Sequence, residues 1–304
     1  MANRSPSYGG QAVIEGVMMK GRHHMATAVR RSEGDIIVET KQVTPWSQRF
    51  PILKYPIFRG ALALVEAMVI GIGSLTFSAN QFAEEEEVEL TTKDLVLMIL
   101  FAFGISILFF IVLPAFAIRF VQAEIENNIL LNLLEGLIKV SIFLGYVAAI
   151  GLMPDIRRVF QYHGAEHKTI HAYEHGKELT IDNVQQYSTL HPRCGTNFIF
   201  IVLLVSVFIF SFFGRPPFFQ RILIHLAILP LVAGISYEIL KQAGKEQPLL
   251  IFRVLALPGL WLQKLSTREP SDAQVEVAIR SLNEVLALEE ATTERYESGV
   301  AEGV

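Results

Sequence analysis

Apolar residues in this chain are gathered into long blocks separated by short polar stretches. The longest block, Leu95 to Ile118, runs 24 residues without a charge between Asp94 and Arg119. A helix of that length, at about 1.5 Å per residue, crosses a ~30 Å hydrocarbon core with some tilt. A second block, Ile129 to Met153, is interrupted by Glu135 and Lys139. These are four apart with the acid first, so they pair on one helix face as buried ionisable groups must. Phe198 to Phe213 and Ile222 to Tyr237 form a third and fourth span, and the short Gly214 to Arg221 connection makes them antiparallel neighbours. Two more segments are weaker: Ala61 to Ala79 contains Glu66, and Leu249 to Leu262 is broken by Arg253 and Pro258. Both read as interfacial or re-entrant helices, with five or six spans as the alternative.

The remaining pattern is that of a small soluble unit. Between Tyr8 and Val43 the apolar positions alternate with short period. ATAVRR, SEGD and IIVETK read as two strands around a four-residue polar turn. Near the C-terminus Ser271 and Gln274 form a capping box, followed by an apolar stripe of Val275, Leu282, Val285 and Leu286. This helix is expected to pack on the β unit or on a partner, with an acidic, disordered end from about Thr292. The run Glu84 to Glu87 reads as a solvated linker.

Composition agrees with a membrane protein: 51% of residues are hydrophobic and 18% charged, against roughly 25% charged in soluble domains. Lys and Arg number ten in residues 1–94, one between the first two spans, five in the next connection, two in the third and seven after Tyr237. Every second segment is basic, which predicts both termini and the central loop in the cytoplasm of a bacterial cell membrane. No secretory signal opens the chain, and a single cysteine leaves no intrachain disulfide. The expected partners are the bilayer and a membrane or cytoplasmic protein, with no nucleic acid.

The expected fold is therefore mainly α, a polytopic helical protein of about four transmembrane helices with a small β-containing unit and a C-terminal amphipathic helix. Residues 1–60 form the N-terminal unit, 61–94 an interfacial helix and acidic linker, and 95–153 spans one and two. Residues 154–197 form a His-rich loop and helix, 198–240 spans three and four, and 241–304 an interfacial segment, amphipathic helix and tail.

Chemistry concentrates between the second and third spans. His163, His167, His171 and His175 recur every four residues and form one shallow stripe on a helix. His163, Glu166 and His167 spell H-x-x-E-H, in which both histidines hold a metal and the glutamate activates water. Zinc is the expected ion. The third ligand stays open among His171, His191, Cys194 and Glu238; His191 and Cys194 share an H-x-x-C turn, and Glu238 follows the fourth span. Cys194, beside Arg193, is alternatively a nucleophile with His191 or His167 as base. The same histidines could also hydrogen-bond backbone carbonyls or lipid headgroups without any metal.

GGQAVIEGVMMKG at residues 9–21, MPDIRRVFQYHGAEHKTIHAYE at 153–174, LHPRCGTNF at 190–198, SYEILK at 236–241 and PGLWLQKLSTREP at 258–270 together resemble the YqhQ family of bacterial membrane proteins. The resemblance spans nearly the whole chain and implies a metal-dependent enzyme without naming a substrate. It carries over to Glu15, His163, Glu166, His167, His171, His191, Arg193, Cys194 and Glu238, and leaves His175 a bystander. Glu15 is a structural acceptor or a carboxylate reaching the histidines. Three function classes follow: a membrane-embedded metal-dependent hydrolase, a non-catalytic scaffold or assembly factor with a structural metal or none, and an ion or metal carrier using Glu135 and Lys139.

Overall fold

A computed structural model of the chain describes residues 8–44, 46, 55–85, 92–214, 216–245 and 247–297. Four strands, β1 (Gly9–Val13), β2 (Gly16–Lys20), β3 (His24–Arg30) and β4 (Ile36–Gln42), form one antiparallel meander in that order. The expected hairpin is β3–β4, closed where Arg30 pairs with Ile36, so its turn is one residue longer than read, with Gly34 at φ +96. Only glycine takes that backbone conformation without strain.

Strand β2 is buried on both faces, which is why GVMM shows no alternation. On one face Val17, Met19, Ala26 and Ala28 pack against Val275, Leu282 and Val285 of α10 (Asp272–Glu297) and Tyr162 and Ala165 of α5 (Pro154–Glu174). On the other, Thr27 donates to Ser74 Oγ at 3.2 Å and the Ile14 amide donates to Ser78 Oγ at 3.3 Å, both on α1 (Phe58–Glu85). The C-terminal helix thus docks on the β unit. Its capping box is formed, with the Ser271 amide donating to Gln274 Oε1 at 2.9 Å, and the helix continues through Glu297, beyond the expected end of order at Thr292. The Glu84 to Glu87 run extends outside the described residues.

Among the described residues, five helices are long and apolar enough to cross a membrane: Phe58–Ala83, Val96–Phe120, Asn128–Ile150, Gly195–Phe213 and Phe218–Ala243. The second joins α2 (Thr92–Ile107) through a π turn to α3 (Leu113–Ala117). The next three contain α4 (Asn128–Ile150), α7 (Gly195–Phe210) and α8 (Phe218–Ala243). The first corresponds to the segment expected at Ala61 to Ala79, which is a 28-residue helix. A short α6 (Ile181–Gln185), unread in the sequence, follows α5. Helix α9 (Leu250–Ser266) has 17 residues and carries Pro258 inside it. It lays Gly259 against Asn197 of α7 and leaves Leu250, Ile251 and Trp261 exposed.

The two ends of α1 touch the same side of the molecule. Arg59 forms two hydrogen bonds with Glu238 near the C-terminal end of α8, while Gly71, Ser74 and Ser78 lie against the sheet. Inside the helical bundle Glu135 and Lys139 do pair, at 3.0 Å. They are joined there by Arg221, bonded to Glu135, and by His225, whose Nε2 lies 2.6 Å from Lys139 Nζ. All four are less than a tenth exposed or at that limit.

Candidate metal centre

Helix α5 starts on Pro154, whose missing amide and fixed φ suit a first helical position, with Asp155 in the first turn. It follows α4 directly, so its histidines begin about two turns beyond the bundle. Three segments close around it: β1, the His191–Cys194 turn, and the chain leaving α9. The β1–β2 hairpin brings Gly10 so near that a Cβ there would sit 3.0 Å from the Glu166 side chain. Gly164 has the same role towards the Arg268 carbonyl, which an added Cβ would meet at 2.1 Å.

Backbone carbonyls set the imidazoles. His163 Nδ1 donates to the Ser266 carbonyl at 2.9 Å, and His167 Nδ1 donates to the Thr189 carbonyl. Each bond directs Nδ1 at a backbone acceptor and turns Nε2 into the cluster, the arrangement in which metal-bound histidines are held. His163 Nε2 is 3.1 Å from Cys194 Sγ, and His167 Nε2 is buried without a hydrogen-bond partner. Ligand atoms of His163, His167 and Cys194 all lie within 4.8 Å of one another. Tetrahedral zinc with bonds of ~2.0–2.3 Å separates its ligand atoms by about 3.4–3.8 Å, so the three converge on one ion with a side-chain adjustment of about 1 Å. Two nitrogens and one sulfur are a zinc donor set.

Electrostatics favour the ligand forms. Burial pushes the pKa of His167 down, against the partial opposition of Cys194 and the Thr189 carbonyl, so the ring stays neutral. Burial alone would raise the Cys194 thiol, but the His167 ring and the hydroxyl and amide of Thr196 outweigh it, and the net shift is downward. The sulfur caps α7, accepting from the Thr196 amide at 3.4 Å, where helix amides favour a thiolate. Burial pushes Glu166 up to about 8, with His163 and the Gly10 amide opposing and Cys194 reinforcing.

A second group lies beside the first. His171, Glu174 and His191 also have ligand atoms within 4.8 Å of one another. Here, however, Glu174 is paired with Arg193, and His191 Nδ1 accepts the Arg193 amide at 3.3 Å. His171 Nε2 donates to the Leu190 carbonyl at 2.9 Å. Burial, with His163 adding to it, holds His191 down at about 4. A guanidinium already neutralises the only carboxylate of this group, so it suits positioning of the turn better than holding a cation. His175 ends the helix, exposed.

Two expected residues lie elsewhere. Glu238 is held by Arg59 and does not join the cluster. Glu15 receives two hydrogen bonds from Arg158 and one from Tyr162 Oη at 3.2 Å. It sits in the β1–β2 turn at φ +50, a conformation costing a non-glycine residue roughly 1–2 kcal/mol, which those bonds offset. The GGQAVIEGVMM motif thereby places Gly10 against Glu166 and Glu15 against Arg158. Residues not singled out from the sequence hold the turn: Gln263, fully buried, accepts the His191 amide at 2.7 Å and donates to the His191 carbonyl at 2.8 Å and to Asn197 Oδ1 at 3.1 Å. Asn197 in turn donates to the Pro192 carbonyl at 2.7 Å. Gln263, Ser266 and Asn197 all stand in the segments that resemble the YqhQ family.

Comparison with known proteins agrees with that resemblance. Residues 55–288 match the family model described as "Protein of unknown function (DUF1385)". The chain is 39% identical over 298 residues to the uncharacterized protein YqhQ of Bacillus subtilis (strain 168), covering 93% of each. No solved structure matches it. With most of its length matched by the family model and almost all of it aligned to that relative, the chain belongs to the DUF1385 family.

Proposed function

We propose that this membrane protein is a metal-dependent hydrolase whose zinc-class ion is held by His163, His167 and Cys194. The carrying observation is the pair of Nδ1-to-carbonyl bonds, from His163 to Ser266 and from His167 to Thr189, which aim both Nε2 atoms at Cys194 Sγ. A bound ion of this class would supply an activated water and polarise a substrate carbonyl or phosphoryl oxygen. Three protein ligands leave a fourth position for that water. Glu166 lies one helical turn from His163, with the Gly10 amide on its carboxylate. A bound cation would oppose the burial that raises it to about 8 and favour the ionised form. That form would serve as general base, taking the water proton and delivering it to the leaving group. The backbone carbonyls of Ser266 and Thr189 keep the imidazoles in register, and Gln263 holds the turn that bears Cys194.

The site lies where α5 leaves α4 and where α7 begins, so the substrate class is a peptide or lipid ester at the membrane interface. The cytoplasmic face of the bacterial cell membrane is supported by the Lys and Arg distribution. It is supported too by the contacts of α1, whose ends meet Glu238 and the sheet on one side. On this reading α1 is an interfacial helix beside four spans, and both termini lie on the side of the histidines.

A second reading, a non-catalytic scaffold in which the ion staples α5 to the Cys194 turn, is favoured by burial: Glu166, His167 and Cys194 are each 9% exposed or less. The carrier reading has less support. Phe143, Val147, Phe200 and Leu262 form an apolar cluster one to two turns along α4 from Lys139, between the charged residues and the histidines.

The test uses untagged, detergent-purified full-length protein. Glu166→Gln should keep its metal and lose turnover of peptide and lipid-ester substrates. Turnover surviving in that variant would remove Glu166 as base. Full metal with no turnover in wild type would favour the staple.

A further inference from the structure

We propose that the membrane end opposite the histidines carries a phosphate-binding cavity, built on Arg119 and Arg221, that takes the headgroup of an anionic phospholipid. The cavity measures about 500 Å3 and is lined by Ile118, Arg119, Gln122, Phe218, Phe219 and Arg221, among others. That volume falls within the range of ligand sites, roughly 300–1,000 Å3. It opens where the second apolar helix ends and α8 begins, at the opposite end of α8 from Glu238.

Its walls are divided by chemistry. Arg119 lies over the Phe218 ring at 5.6 Å, and Phe219, 78% exposed, adds a second ring to the lining. Arg221 is only 5% exposed, yet it lines this cavity while bonding Glu135 on its far side. Glu135 is the one carboxylate in contact with both Lys139 and Arg221 among the described residues. His225 Nδ1 lies 2.7 Å from the Arg221 carbonyl, and its Nε2 lies 2.6 Å from Lys139 Nζ and 3.4 Å from Glu135 Oε1. One anion therefore faces two cations in the bundle, and Arg119 adds a third. Glu124 and Glu126 in the adjoining connection do not line the cavity. Charge at a membrane boundary is matched by counter-charge, and among the described residues no carboxylate other than Glu135 is paired with Arg119, Lys139 or Arg221.

A second, independent feature lies behind Arg221. A water-sized void of about 10 Å3 is bounded by Asn132, Glu135, Arg221 and His225. Into this region Asn132, 5% exposed, brings an amide nitrogen that has no protein partner. The two cavities share Arg221 and Pro216, so the polar groups at the back of the site expect a small polar occupant beyond what the chain provides. Guanidinium groups match phosphate and carboxylate oxygens in pairs. At the headgroup level of a bacterial bilayer, phosphate is the abundant anion. Anionic lipid is therefore favoured over free phosphate, which shares the chemistry.

The experiment is thermal unfolding of the full-length protein in a neutral detergent, titrated with short-chain phosphatidylglycerol, short-chain phosphatidylcholine or inorganic phosphate. Phosphatidylglycerol should raise the midpoint saturably and phosphatidylcholine should not. Arg119→Gln, at an exposed position that leaves the fold intact, should weaken the apparent affinity about tenfold, the scale of one charged hydrogen bond. Arg221→Gln should abolish the response if it folds; Arg119→Gln decides the matter if it does not. Equal responses to the two lipids, or an Arg119→Gln response like wild type, would overturn the proposal. Saturable stabilisation by inorganic phosphate to which phosphatidylglycerol adds nothing would overturn the lipid assignment.

Discussion

Replacing Gly164 with alanine sets two known effects against each other at the metal centre. In the interior of a helix alanine is preferred to glycine by ~1 kcal/mol, so α5 alone would be stabilised. The added Cβ, however, would stand 2.1 Å from the Arg268 carbonyl oxygen and 3.2 Å from Thr189 Cγ2. Reaching ordinary contact requires a separation greater by more than about 1 Å, and overpacking of this kind costs ~1–3 kcal/mol. Because the obstructing atom is backbone, the upper part of that range applies, and after the helix preference is subtracted the repulsion wins by up to about 2 kcal/mol. The strain falls on the segment leaving α9, which carries the Ser266 carbonyl two residues away, whose bond orients His163. Loss of a bond worth ~1 kcal/mol weakens metal retention about fivefold. The assay is thermal unfolding of detergent-purified protein, paired with zinc retention against a chelator. Gly145→Ala on α4 is the control, since nothing lies within 4 Å of its added Cβ; it should be neutral or stabilising. The reasoning is refuted if Gly164→Ala melts and retains zinc like wild type, or if Gly145→Ala falls as far.

Three further outcomes follow from the same contacts. Gln263→Ala removes both hydrogen bonds to His191 and the one to Asn197, and should lower zinc affinity 10- to 100-fold, as loss of an outer support does; competition against a chelator measures it. Glu15→Gln and Glu238→Gln should each retain full metal content by elemental analysis, because their carboxylates are held by Arg158 and Arg59; metal loss in either would return that residue to the ligand set. Glu135→Ala strands Arg221 and Lys139 in the bundle and should destabilise the protein by roughly 3–5 kcal/mol. Reduced yield and a lowered thermal midpoint would show this, and an unchanged midpoint would mean the two cations find other partners.

The apolar blocks, the β3–β4 hairpin, the capping box at Ser271 and the pairing of Glu135 with Lys139 were legible because each is encoded locally, by periodicity or by spacing. The bounds of α1 were not, since Glu66 and its glycines break the pattern that length and burial restore. Arg221 escaped notice for a different reason. It stands at the start of α8, where a charge reads as a boundary, yet Arg221 and His225 repeat the i, i+4 spacing of Glu135 and Lys139 that they meet. At the candidate site the H-x-x-E-H letters and the H-x-x-C turn named the side chains, and the fold brings Cys194, among the possible third partners, next to His163 and His167. The carbonyls of Ser266 and Thr189 had no signature, because a backbone acceptor looks the same at every residue. Glu238 illustrates the converse: its position after the last span pointed to the interface correctly, but Arg59, 179 residues earlier, had already claimed its carboxylate.

The central claim is that His163, His167 and Cys194 hold one zinc-class ion, and X-ray absorption at the metal edge of untagged protein tests it most directly. The account predicts about one metal per chain with one sulfur at ~2.3 Å and at least two imidazole nitrogens at ~2.0–2.1 Å, the sulfur disappearing in Cys194→Ser. A metal shell without sulfur, or folded protein that takes up no metal on reconstitution, would contradict it.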